Sequence, residues 1–143
     1  MDKLHFCIKE ALRMYPPLIF LMRKLTVDMK ICGYDIPKGD TLFLSPAVSG
    51  RLDTIYTNPE KFDPDRFAPG REEDKLKQFS FVGFGGGRHG CMGETFAYLQ
   101  IKTIWSVLLR KYNMEIVGEL PKPDYSAMVV GPTHPCLVKY SRK

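Results

Sequence analysis

A chain of 143 residues, 44% apolar and 26% charged, is long enough for one ordinary domain and too apolar to be disordered. The formal charge of +5 favours an acidic partner or an anionic cofactor, but Lys and Arg are scattered, without the basic stripe and interleaved aromatics of a nucleic-acid binder. Cys7, Cys32, Cys91 and Cys136 form no C-x-x-C pair, which argues against a zinc site or a disulfide framework and for a reducing compartment.

No apolar run reaches the roughly eighteen residues of a membrane span, and no signal peptide is visible. The chain opens inside a helical pattern, so the protein is expected to extend upstream of Met1. Leu4, Ile8, Ala11, Leu12 and Tyr15 recur at helical spacing, predicting an amphipathic helix over 3–15 stopped by Pro16-Pro17. On its other side Glu10 and Arg13 lie three apart, the spacing of an ordinary surface ion pair. Residues 18–46 carry short β-branched or alternating runs broken at Cys32-Gly33 and Pro37-Lys38-Gly39, predicting a small antiparallel meander. A short helix over 47–52 follows. Residues 56–81 form a long, proline-punctuated connection that Phe62 and Phe67 are expected to anchor. Beyond Gly93, the positions Ala97, Ile101, Ile104, Trp105 and Leu108 predict a helix to about Tyr112. The tail reads as two or three strands with a Pro-rich turn. The class is α+β, without βαβ alternation.

The chemistry concentrates in "GFGGGRHGCMG", a glycine-rich turn that presents one cysteine as a helix begins. Gly85–Gly90 matches G-x-G-x-x-G, yet it lacks a buried parallel strand before it, and the twentieth position beyond Gly90 is Arg110 rather than an acid. A P-loop needs Gly-Lys followed by Ser or Thr, and Gly90 is followed by Cys91. A phosphatase-type cysteine loop wants an arginine six residues after the nucleophile, where Ala97 stands. A cysteine nucleophile with His89 as base stays open, although such partners usually meet from distant parts of a chain. So does a metal-ligating Cys91. One thiolate does not close a protein metal site, whereas haem brings four nitrogens of its own and asks the protein for an axial ligand. Gly85, Gly86, Gly87 and Gly90 would let backbone pass close to a flat macrocycle, and Gly93 leaves room beside it. A nearby helix N-terminus would favour a thiolate, and Arg88 and His89 are placed to meet propionates.

"FGGGRHGCMG" resembles the haem-binding loop of the cytochrome P450 monooxygenases, with Phe84, Gly87, His89, Cys91 and Gly93 on the family's positions. Most members have Arg where His89 stands, and His there is typical of the sterol 14α-demethylase branch. "EALR" resembles the family's Glu-x-x-Arg helix and "FDPDRF" its Pro-x-Arg-Phe element. The resemblance implies that Glu10, Arg13 and Arg66 form one buried ionic cluster behind the haem, against the surface-pair reading. "YPPLIFLMRKL" and "MVVGPT" resemble the demethylase branch specifically, which implies substrate-lining roles for Leu18, Phe20, Met22, Met128 and Val129 and a propionate contact for Arg23. Phe84 is expected against the macrocycle near the thiolate, with Cys91, His89, Arg23, Arg88, Gly85, Gly87 and Gly93 around the cofactor.

The likeness runs from Met1 to Lys143 and matches the C-terminal portion of one P450 domain. The N-terminal anchor, the substrate-capping region and the oxygen-activating helix of the family have no counterpart here. The implied complete enzyme is a haem b monooxygenase that removes the sterol 14α-methyl group oxidatively, using O2 and NADPH electrons. Its implied partners are a lanosterol-like sterol and NADPH-cytochrome P450 reductase, whose acidic face would meet a basic surface that includes Lys102 and Arg88. It is expected on the cytosolic face of the endoplasmic reticulum membrane, held by the upstream region. Two other readings remain: a truncated, non-catalytic fragment or incomplete gene product, and another P450 monooxygenase acting on a different lipid. An isolated fragment would expose core surface and bind haem poorly.

Overall fold

Proline and glycine punctuation divides the chain into elements held mainly by one buried ionic cluster. In the computed structural model, which describes residues 2–143, α1 spans Asp2–Met14 and ends where Pro16 and Pro17 cannot continue a helix. Ile8, Glu10, Arg13 and Met14 are its buried residues, so its inward stripe carries both apolar and charged side chains.

Four strands follow: β1 (Leu21–Lys24), β2 (Met29–Ile31), β3 (Tyr34–Ile36) and β4 (Thr41–Leu44). They do not form a meander. β1 pairs antiparallel with β4, Leu21 opposite Leu44, and encloses the separate β2–β3 hairpin. Alternation in sequence reveals strands but not their partners, so it does not distinguish this nested pairing from the expected meander. The hairpin turns on Cys32 and Gly33, both at positive φ (50° and 89°), the two left-handed residues that a tight hairpin requires. The short helix is α2, Pro46–Ser49, with the Ser45 hydroxyl accepting from the Val48 amide at 3.4 Å.

The long connection contains two 3₁₀ turns, Pro64–Phe67 and Glu73–Lys75. The first turns Arg66 and Phe67 inward, so Phe67 is the buried anchor, while Phe62, before the turn, stays half-exposed. α3, Glu94–Lys111, runs directly into β5 (Tyr112–Ile116), which pairs with β8 (Val138–Arg142). Between them β6 (Pro123–Asp124) pairs with β7 (Gly131–Pro132).

The apolar core is thin, comprising Ile8, Met14, Leu25, Tyr56 and Phe67. The accessible surface is 10685 Å², against roughly 7,500 Å² for a compact monomer of this mass. None of α3 is buried; it meets α1 along a groove through Ile101, Trp105 and Leu109 and where the Tyr98 ring stands edge-on to His5, 4.6 Å between ring centres.

Candidate active site

Two substructures lie back to back on α1: an ionic cluster and the cysteine loop. Arg13 donates from Nε to Glu10 Oε2 (2.7 Å) and from Nη2 to Glu10 Oε1 (2.8 Å), and Arg66 Nε donates to the same Oε1 at 3.0 Å. All three side chains are inaccessible to solvent, so the helical spacing of Glu10 and Arg13 marks a buried pair rather than a surface one. Arg13 also donates to the Gly50 carbonyl, and a Cβ at Gly50 would lie 2.5 Å from the Arg13 carbonyl oxygen. Neighbouring backbone thus satisfies guanidinium protons that one carboxylate cannot.

A second carboxylate completes the cluster. Glu73 accepts from Arg66 Nη1 (2.6 Å), Arg71 Nη2 (2.6 Å) and the Thr57 amide (3.1 Å). Arg71 also donates to Asp63 Oδ2 at 2.8 Å, and the Asp63 amide donates to Glu10 Oε1 at 2.9 Å, which closes a ring through Glu10, Arg66, Glu73, Arg71 and Asp63. Burial pushes the Glu10 and Glu73 carboxyls up, but the combined arginine and amide hydrogen bonds outweigh it and hold both below the usual range. The Arg71 guanidinium does the same for Asp63. Tyr56, fully buried, donates to the Ser80 carbonyl at 2.9 Å, and burial pushes its phenol up. Glu73 was not singled out from sequence, because it sits in the charged run "REEDK", which reads as a solvated face.

The cysteine loop is set by backbone bonds. Gly85 donates to the Val82 carbonyl and Cys91 to the Phe84 carbonyl, each at 2.9 Å, and a 3₁₀ turn at Gly87–His89 lies between them. Gly85 and Gly87 take φ of +74° and +61°, and a Cβ at Gly85 would stand 3.1 Å from the His89 carbonyl oxygen. Gly93 is the N-cap of α3 rather than a residue inside it, and a Cβ there would lie 3.7 Å from Cys91 Sγ. Cys91 is a free, exposed cysteine. Among the described residues no group of three His, Cys, Asp or Glu is placed to hold a metal.

Two adjoining hollows of about 290 and 270 Å³ open beside this loop and share Leu21, Pro46, Val82 and His89. Cys91, Leu18, Phe84 and Gly85 border the first; Arg23, Phe79 and Gly86 border the second. The wall is mostly apolar, with the thiol in the first hollow, Arg23 in the second and His89 bordering both. Phe84 also packs its ring 5.2 Å from that of Tyr98 on α3.

The other expected residues are distributed differently. Alternation along β1 puts Leu21 and Arg23 on the half-buried face and Met22 on the exposed one. Phe20 and Met22 are exposed, and Phe20 meets Phe43 edge-on at 5.8 Å; neither lines the hollows beside Cys91. Leu21, between them, borders both hollows. Met128 and Val129 are exposed, and the amide of the next residue, Val130, donates to the carbonyl of Pro17 in the double proline at 2.8 Å. Arg88 is exposed, and the Lys102 ammonium lies 5.8 Å from the Tyr98 ring.

Comparison with known proteins agrees across the chain. Residues 1–140 match the family model described as cytochrome P450. The chain is 53% identical over its whole length to a sterol 14-demethylase of Arabidopsis thaliana and to an obtusifoliol 14-alpha demethylase of Sorghum bicolor, covering 30% of each. It is 41% identical to a lanosterol 14-alpha demethylase of Homo sapiens, over 96% of this chain and 27% of that one. The structure of a retinoic-acid-bound cyanobacterial CYP120A1 superposes with a TM-score of 0.92 at 28% identity, over all of this chain and 33% of the other. The chain therefore spans about 30% of the length of the curated relatives it matches. Its α+β arrangement is that of the P450 fold, and the chain belongs to the cytochrome P450 family.

Proposed function

We propose that these residues form the C-terminal, cofactor-holding part of a longer haem-thiolate monooxygenase that removes the 14α-methyl group of a sterol. The observation that carries the haem reading is the exposed Cys91 thiol on a mostly apolar hollow flanked by Arg23 and His89. The donor set suits haem b: one soft donor for the iron, apolar walls for the ring, and a guanidinium and an imidazole to hydrogen-bond its carboxylates. When bound, haem supplies four ring nitrogens to its iron and the site of O2 activation, for which an axial thiolate favours O–O cleavage.

In this reading each residue has a definite task. Cys91 would offer Sγ to the iron, and its amide, tied to the Phe84 carbonyl, would fix where the sulfur stands. Arg23 and His89 would hold the propionates by hydrogen bonds, with Arg88 assisting. Gly85 and Gly87 keep Cβ atoms away from the ring, and Leu21, Pro46 and Val82 keep water out. Leu18, on the Cys91 side of the hollow, and Phe20, Met22, Met128 and Val129 in the adjoining segments contribute apolar surface to sterol binding. The ring from Glu10 to Asp63 holds α1 against the long connection, so that both walls keep their spacing.

The sterol assignment rests on 53% identity to plant 14-demethylases over the whole chain, well above the 28% shared with the retinoic-acid-bound protein. Electrons would come from NADPH through a flavoprotein reductase docking near Arg88 and Lys102. No described helix is long and apolar enough to cross a bilayer, so contact with the endoplasmic reticulum membrane is assigned to the rest of the protein. The test is turnover of 14α-methyl sterols by the complete protein with reductase and NADPH, with product measured by mass. A product lighter by the 14α-carbon, formed by wild type and absent with Cys91→Ala, is expected. Oxidation of other lipids with none of these sterols would refute the sterol assignment.

A further inference from the structure

We infer that Lys9 and Asp74 are positioning residues for the cysteine loop, acting through the ring of Phe81; this rests on the reading of Cys91 as haem ligand. Lys9 Nζ bonds Asp74 Oδ2, and the two side chains are only 15% and 11% exposed. Other lysine–aspartate pairs of the chain are surface pairs: Lys3 and Asp65 are 63% and 57% exposed, and Lys30 and Asp35 are 67% and 86%. The Lys9 ammonium also stands 4.5 Å from the Phe67 ring centre and 5.1 Å from that of Phe81, and the two rings meet edge-on at 6.0 Å. A part-buried ammonium held by one carboxylate and two aromatic rings has little freedom to move.

Phe81 passes this constraint to the loop. A Cβ at Gly83 would lie 2.7 Å from Phe81 Cζ and 3.4 Å from Leu12 Cβ, so the backbone at 83 is gripped between the Phe81 ring and α1. The next residue, Phe84, supplies the carbonyl that receives the Cys91 amide. The path is therefore Lys9 to Phe81, Phe81 to the backbone of Gly83 and Phe84, and Phe84 to Cys91. The ionic ring does not contain it: Lys9 and Asp74 share no hydrogen bond with Arg66 or Arg13, although each adjoins a ring member in sequence.

The test uses the complete haem-loaded protein and reads the thiolate-type band of the ferrous carbonyl in moderate urea. Lys9→Met, Asp74→Asn and Phe81→Leu are each expected to speed loss of that band on the order of tenfold, whereas Lys9→Arg keeps the wild-type rate. The Lys9→Met/Phe81→Leu double variant is expected to be no faster than the faster single variant, because both break one contact path. Circular dichroism on the same samples gives a second readout: band loss running ahead of helix loss supports positioning. Band loss in step with helix melting, unchanged rates in the single variants, or additive rates in the double variant would each overturn it and leave Cys91 as ligand untouched. A wild type without the band, or a Cys91→Ala protein that keeps it, sinks the site reading and this inference together.

Discussion

Replacing Glu73 by Gln tests whether the ionic cluster needs its second carboxylate. Glu73 is 6% exposed and takes three donors, two of them guanidinium groups at 2.6 Å. Gln keeps the volume but offers one carbonyl oxygen and turns an amide N–H₂ toward those donors. The larger loss falls on Arg66, whose side chain is wholly buried and would face Glu10 as its only carboxylate, in a site already holding Arg13. Arg71 is 39% exposed and recovers much of its loss from water, so its share is discounted. Breaking a buried pair by removing one partner costs about 3–5 kcal/mol, and the Arg71 discount favours the lower end, about 3 kcal/mol. In the complete protein this lowers the thermal midpoint by on the order of 5 °C. Because Glu73 is held below its ordinary pKa when folded, its contribution is full above the usual glutamate range and is lost as pH falls through the depressed folded value. The gap between wild type and variant should therefore be constant near neutrality and shrink in acid. A shift under one degree at neutral pH, or a gap that widens in acid, would refute the claim that Glu73 balances Arg66.

Gly50→Ala would place a Cβ 2.5 Å from the Arg13 carbonyl oxygen, so a destabilisation of about 1–3 kcal/mol is expected in urea titration, although its φ of −68° is ordinary. Gly85→Ala combines φ +74° with a 3.1 Å approach to the His89 carbonyl oxygen, and haem content after purification should fall. Gly118→Ala is its control: φ is +86° with open space around the Cβ, so it should lose about 1 kcal/mol of stability and no haem. Equal haem loss in both would show that backbone strain alone, not the loop, governs retention.

How far the sequence could be read depends on whether a feature is local. α1 and α3 were legible because their apolar residues repeat at helical spacing and Pro16-Pro17 gives a stop. β1 and β4 were legible as strands, but their pairing joins residues some twenty apart across a hairpin that itself satisfies β2 and β3. Glu10 and Arg13 illustrate the limit: i, i+3 spacing is common to exposed and buried pairs, and the burial comes from Gly50, Lys61 and Arg66, which no periodicity ties to α1. Phe62 and Phe67 look alike in sequence, and the 3₁₀ turn beginning at Pro64 turns the second inward with Arg66. One residue of register separates Leu21 from Met22, and the face each takes on β1 decides which borders the hollow beside Cys91. Glu73 and Asp74 gave no signal, because nothing in a charged run tells which member is buried, and Lys9 gave none because a lysine on an amphipathic helix reads as solvent-facing.

The claim on which the account stands is that the Cys91 sulfur binds a haem iron, and the most direct measurement is the carbon monoxide spectrum of the reduced complete protein with and without that sulfur. Wild type should show the thiolate-type band, and Cys91→Ala should lose it while Cys7→Ala, altered in the α1–α3 groove, keeps it. An unchanged band in Cys91→Ala would contradict the account.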